Sequence, residues 1–385
     1  MTAQIAPASS GAIAATALRL VDADIHPSLP HGLRTLAPYM SDAWVKRLGI
    51  GERPEWAAGL PNTGDFSIPT NGIYTSLEGS IRMDAITPDG AAPASDPKVV
   101  AKQVFDPLGI DRGILFPGNV FGLGAVPNAD IASTIAAATN DYLDDVWLRA
   151  DKRYRMAITI CPQDPIAGAA EIRRMAQRGG VVQILIPANR KLLGDPHFYP
   201  IYDAAQECGL PIAVHPAAVE SIYVNGPQIA GDPPWYYLQW HTTLTLPHQA
   251  NAVSLVAHGV FERFPKLKVV FAEVGIVWLV EMMWRMDKNW KALRDETPWL
   301  TRLPSEYMLE HFRFTTQPFL EPKKKEHLLQ IIDMIQGERI LMFSTDFPHW
   351  DGDDPRWTLD ALSDDARRSI GVTNAVELYG QRLLD

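Results

Sequence analysis

Two cysteines in 385 residues are too few for a disulfide framework. Cys161 and Cys208 have no Cys-x-x-Cys partner, which excludes a zinc knuckle as well. They read as buried free thiols of a reducing compartment, so the cytoplasm is the expected location. Positive charge is also short: 35 Lys and Arg against 45 Asp and Glu give a net charge of -10. Nucleic acid needs clustered basic side chains and is a poor partner for such a chain. The one compact basic run, Lys323-Lys324-Lys325 after Pro322, reads as the exposed first turn of a helix. No stretch approaches the roughly 18 consecutive apolar residues of a membrane helix. Residues 1–17, rich in Ala and Ser, lack the basic start and long apolar run of a signal peptide. They are expected to be a flexible tail, or an arm that packs on a partner subunit of a homo- or hetero-oligomer.

What remains is an ordinary globular composition, 46% hydrophobic and 21% charged. The length fits one domain, 18–385, built as a large barrel with insertions. Eight short apolar runs support that reading: 18–26, 113–117, 155–161, 181–186, 211–215, 267–273, 312–316 and 339–346. Amphipathic stretches at 128–149, 166–178, 248–264, 277–290 and 323–335 alternate with them, their apolar residues recurring at three- and four-residue spacing. Strands alternating with helices predict a parallel sheet, and eight strands close a (β/α)8 TIM-type barrel. Two long insertions, 27–99 after the first strand and 217–240 after the fifth, break the rhythm. Loops that follow barrel strands gather on the catalytic face, so these are expected to form a lid and pocket walls. Trp240 is a candidate substrate contact there.

The first strand reads Leu-Val-Asp-Ala-Asp-Ile-His. Alternation along a strand puts Asp22, Asp24 and His26 on one side, with Asp22 either a ligand or an orienting group. The fifth strand ends in His215. The eighth ends in Asp346, a carboxylate that is costly to bury without a cation or hydrogen bonds. Imidazole and carboxylate at the ends of strands one, five and eight converge on one point. That donor set suits one or two divalent ions of the Zn, Mn or Fe class.

These pieces resemble the amidohydrolase superfamily, and within it the amidohydrolase-related branch that holds the aminocarboxymuconate-semialdehyde decarboxylase relatives. Asp22 to His26 is similar to that family's D-x-H-x-H strand, with Asp24 in place of the first His. Gly259 to Val270 (GVFERFPKLKVV) resembles its approach to strand six. Thr345 to His349 (TDFPH) is similar to its S-D-Y-P-H ending, and His215-Pro216 to its strand-five ligand. The resemblance implies a barrel, a bound divalent metal and a small organic substrate. Two departures stand out. The branch's decarboxylases carry a His after strand six where this chain has Glu273, and no Lys follows strand four, where Ile186-Pro187-Ala188-Asn189 stands. Glu273 is therefore either a metal ligand or the base for a metal-bound water, and it is expected in the barrel mouth.

His241 and His248, just past the second insertion, are candidates for a second-metal ligand or an acid–base group. His349 is expected to support Asp346, and His258 to be structural. Arg285 is a candidate for binding a substrate carboxylate. The leading expectation is a hydrolase: a metal-activated water attacks a small organic acid or amide, and Asp346 or Glu273 accepts its proton. A dinuclear Fe or Mn oxygenase is one alternative. A decarboxylase is the other, with Glu273 counting against it.

Overall fold

A computed structural model describes residues 18–50, 81–86, 90–217 and 237–385. Eight parallel strands lie in sequential order: β1 (Val21–Ile25), β2 (Arg112–Leu115), β3 (Tyr154–Thr159), β4 (Val181–Leu185), β5 (Ile212–Val214), β6 (Val269–Phe271), β7 (Phe312–Thr315) and β8 (Leu341–Met342). The last strand returns to the first, where the Ala23 amide donates to the Phe343 carbonyl and the His26 amide to the Phe347 carbonyl, each at 2.8 Å. The expected (β/α)8 barrel is thus the architecture, with strands a few residues shorter than their apolar runs.

The strands are buried on both faces, as parallel strands covered by helices must be. One apolar cluster fills the barrel interior, with Val21, Ala23, Phe116, Ala157, Val182 and Met342 among its members. A larger one lies between the strands and the helices outside, including Val269 and Phe271. The interior is stoppered at the N-terminal ends of the strands by the last residues of the chain. Tyr379 donates its hydroxyl to Gln183 at 2.9 Å, and the Arg112 and Arg155 guanidiniums bond the carbonyls of Leu383 and Arg382.

All five expected helical stretches carry helix, the longest being Val277–Leu293. Lys325 opens the helix Lys325–Met334 and the three lysines are exposed. Both cysteines are free; Cys161 is buried, while Cys208 ends the helix Tyr199–Cys208 and is only half-buried. No helix among the described residues is long and apolar enough to cross a membrane. Residues 1–17, residues 51–80 and 87–89 of the first insertion, and most of the second lie outside the described residues. One described part of each insertion reaches the mouth, where Ile81 bridges His349 and the Trp350 indole donates to the Tyr237 hydroxyl at 2.9 Å. Elsewhere the first insertion packs on the outer layer, with Tyr39 bonded to Asp145, and the Pro97 carbonyl accepts from Tyr154 at the start of β3.

Candidate metal centre

Asp24, His26, His215 and Asp346 are brought together at the C-terminal ends of β1, β5 and β8, with one donor atom of each within 4.8 Å of all the others. All four are buried. His26 Nδ1 donates to the Phe116 carbonyl at 3.0 Å and His215 Nδ1 to the Pro216 carbonyl at 2.8 Å. Those bonds fix the tautomers and turn both Nε2 lone pairs toward the centre. Asp24 Oδ1 stands 3.4 Å from His26 Nε2, and Asp24 Oδ2 stands 3.5 Å from His215 Nε2. Two donors bound about 2.0–2.1 Å from one ion stand roughly 3.0–3.4 Å apart, so the Asp24 spacings are close to those of ligands on a common cation, while His26 Nε2 and Asp346 Oδ1 lie at hydrogen-bonding distance, 2.6 Å.

Both Asp24 oxygens, Asp346 Oδ2 and His215 Nε2 are buried without a hydrogen-bond partner. Orphaned carboxylate oxygens facing a ring nitrogen are costly unless a cation joins them. Burial pushes Asp346 above the usual carboxylate range and His26 down to about 3, which leaves that imidazole neutral with a free lone pair. Burial also works to lower His215, but the carboxylates of Asp24 and Glu273 outweigh it and hold the ring well above its ordinary value. A divalent cation would relieve the carboxylates and take the proton's place on His215. The residues present fit such an ion.

Glu273 reaches this group by an irregular backbone. Val270 and Ala272 face the barrel interior while Val269 and Phe271 pack outside, so strict alternation would send residue 273 outward. Instead Glu273 adopts a left-handed conformation, φ 54°, and its Oε2 stands 3.0 Å from His215 Nε2. Its amide is held by the Thr315 hydroxyl at 2.9 Å. Asp346 is also left-handed, φ 59°, with its amide bonded to the Asp24 carbonyl. Non-glycine residues held there cost about 1–3 kcal/mol each and gather at functional sites.

Asp22 does not join the group. A register shift between Asp22 and Ile25 breaks the alternation of β1. The Asp22 carboxylate instead accepts from Thr345 and from the Asp24 amide. Arg285 is likewise corrected. It is exposed more than two turns along the helix that runs from β6 away from the mouth, roughly 12 Å from its start. His248 is buried on the helix Leu246–Ala257 and lines a small cavity with His215, Asn189 and Asn251. Trp240 is buried on the helix Tyr237–Thr243, 5.3 Å from the Tyr237 ring. His349 bonds Asp346 Oδ1 through Nδ1 at 2.9 Å and stacks on His26. His258 is structural, bonded to the Ser254 carbonyl of its own helix.

His241 meets a residue that the sequence reading passed over, Asp351, at 3.3 Å, and these two group with Glu273 rather than with the other four. The missed signal was Gly352. A Cβ there would stand 2.6 Å from the Thr345 carbonyl oxygen, so only glycine lets the loop fold back over the mouth and carry Asp351 with it.

Comparison with known proteins places this geometry. The amidohydrolase family model matches residues 21–381, and the chain belongs to that family. The gamma-resorcylate decarboxylase of Rhodococcus jostii is 27% identical over 280 residues, 68% of this chain and 81% of its own. The 2-amino-3-carboxymuconate-6-semialdehyde decarboxylase of Dictyostelium discoideum is 25% identical over 232 residues, 60% of each chain. A crystal structure of 5-carboxyvanillate decarboxylase from Novosphingobium aromaticivorans, complexed with manganese and 4-hydroxy-3-methoxy-5-nitrobenzoic acid, matches with a TM-score of 0.67 at 19% identity, covering 94% of this chain and 96% of that one.

Proposed function

We propose that this member of the amidohydrolase family is a metal-dependent decarboxylase of a small aromatic acid. The observation that carries the reading is the convergence of Asp24, His26, His215 and Asp346 with four of their buried donor atoms left without hydrogen bonds. Each of the three relatives just described is a decarboxylase, two of them named for benzoate-type acids. That kinship outweighs the expectation of hydrolysis by a metal-activated water, and with it the weight that Glu273 carried against decarboxylation.

Asp24, His26, His215 and Asp346 would hold a divalent ion of the manganese class, which when bound supplies a Lewis acid for the substrate's carboxylate oxygens. The balance of the reaction is simple: an aryl carboxylate and a proton give the arene and carbon dioxide. The chain must therefore deliver a proton to the ring carbon that loses carbon dioxide. His349 is assigned that task, since Asp346 fixes its Nδ1 and leaves Nε2 for transfer. Tyr237, Trp240 and His241 supply flat faces for an aromatic ring, with ring centroids 5.3–5.9 Å apart.

The experiment is carbon dioxide release by the manganese-loaded protein from 2,6-dihydroxybenzoate, 5-carboxyvanillate and related hydroxybenzoates. Release from at least one is expected. No release from any member of the panel defeats the proposal. Hydrolysis is the second reading, favoured by Glu273 where the resembling decarboxylases have a His. Turnover of esters or amides by the same preparation, without carbon dioxide release, would install it.

A further inference from the structure

We infer that Glu273 is shared between two cation sites, the second of which is completed by His241 and Asp351. One donor atom from each of Glu273, His241 and Asp351 lies within 4.8 Å of the other two. Glu273 also belongs with His26, Asp346 and His349 by the same measure, and its Oε2 is 3.0 Å from His215 Nε2. The carboxylate therefore stands between the four-residue group and the His241–Asp351 pair. His241 Nε2 and Asp351 Oδ2 are 3.3 Å apart, inside the roughly 3.0–3.4 Å expected of two ligands on one ion.

A second observation points the same way. Gln317, fully buried at the end of β7, donates its Nε2 to Asp351 Oδ2 at 3.0 Å. Its Oε1, on the same amide, is buried without a hydrogen-bond partner. The amide held by Asp351 thus carries a buried, unpaired oxygen, a further oxygen donor for a hard cation. Manganese takes such mixed oxygen and imidazole sets.

The chemistry of residue 273 gives the arrangement its logic. An imidazole offers one lone pair to one metal, whereas a carboxylate offers two oxygens and can face an ion on each side. Two-metal sites place their ions about 3.5–4 Å apart, a span one carboxylate bridges. A bridging role accounts for Glu rather than His after β6. It also accounts for the left-handed backbone that turns this side chain inward against the alternation of its strand.

The inference shares with the proposed function only the occupancy of the first site. Its test is metal content. Chelator-stripped protein is reloaded with manganese(II), freed of excess ion and assayed for metal per chain, and its electron paramagnetic resonance spectrum is recorded. Two ions per chain with an exchange-coupled spectrum are expected, falling to one uncoupled ion in both His241→Asn and Asp351→Asn. Circular dichroism confirms that each variant is folded. One ion per chain in the unaltered protein, or two retained in both variants, overturns the second site. One ion together with carbon dioxide release does so while leaving the proposed function standing. No ion at all defeats the first site and both readings with it.

Discussion

Asp22 and Thr345 are joined twice across 323 positions of sequence: the Thr345 amide donates to Asp22 Oδ1 at 2.9 Å and its hydroxyl to Asp22 Oδ2 at 2.5 Å. This pair ties the start of the barrel to its end, one residue before Asp346. Asp22→Ala is expected to lower stability by about 2–4 kcal/mol, since it leaves a buried hydroxyl and two buried amides without their acceptor. Thr345→Val, which removes the hydroxyl's bond to Asp22 and the bond it accepts from the Phe347 amide, should cost about 1–3 kcal/mol. Urea unfolding measures both, and the double variant should lose less than the sum. Additive losses would show that the two side chains act independently.

Asp346→Asn preserves shape and a residue type that tolerates left-handed backbone. It removes one anionic donor. Manganese at about a hundredfold excess over its dissociation constant should stabilise the unaltered protein by about 2.7 kcal/mol. Thermal unfolding with and without the ion should show that shift, and Asp346→Asn should show little of it. An equal shift in the variant would place the ion elsewhere.

His349→Asn should slow decarboxylation by roughly 10²–10⁴-fold if the ring delivers the proton. Bound manganese should be unchanged, because His349 is not one of the four assigned ligands. Turnover within twofold of the parent would reduce His349 to a packing partner of His26.

His311, far from the mouth, makes a prediction about pH. Burial pushes it down to about 4 from an ordinary 6.5, and its Nδ1 donates to the Leu267 carbonyl at 2.8 Å. Above pH 6.5 the ring is neutral in folded and unfolded chains alike. As pH falls from 6.5 toward 4, only the unfolded chain takes up the proton, so stability drains away across that window. The full loss is up to roughly 3 kcal/mol. His311→Gln keeps a donor but does not titrate. Between pH 7 and 4.5, urea midpoints of the unaltered protein should fall further than those of the variant. Equal falls would show that His311 titrates normally.

The barrel was legible in the sequence because parallel strands buried on both faces must be short apolar runs, and each of the eight announced itself. His26, His215 and Asp346 were legible because polar residues ending such runs have few reasons to be there. The errors came from irregular backbone. Asp22 was grouped with Asp24 by an alternation that the register shift in β1 breaks. Glu273 was rightly expected in the mouth, yet alternation alone would have sent it outward, and only its left-handed φ brings it in. Arg285 failed for a simpler reason: it lies more than two turns down a helix that leads away from the mouth, a distance that nearness to β6 in sequence conceals. Asp351 depended on a chain reversal at Gly352, a long-range fit that no local pattern encodes.

The four assigned donors are drawn from β1, β5 and β8, with the first at position 24 and the last at position 346. A ribosome therefore releases Asp24 and His26 long before Asp346 has been added. A nascent chain can offer at most a partial chelate, one too open to discriminate among cellular ions. Loading must wait until the chain has been made past Asp346, when the final strand docks and the cage closes. The identity of an ion held by these four residues would then be decided by what the completed barrel meets in its surroundings, so expression in medium enriched in one metal should set what the purified protein carries.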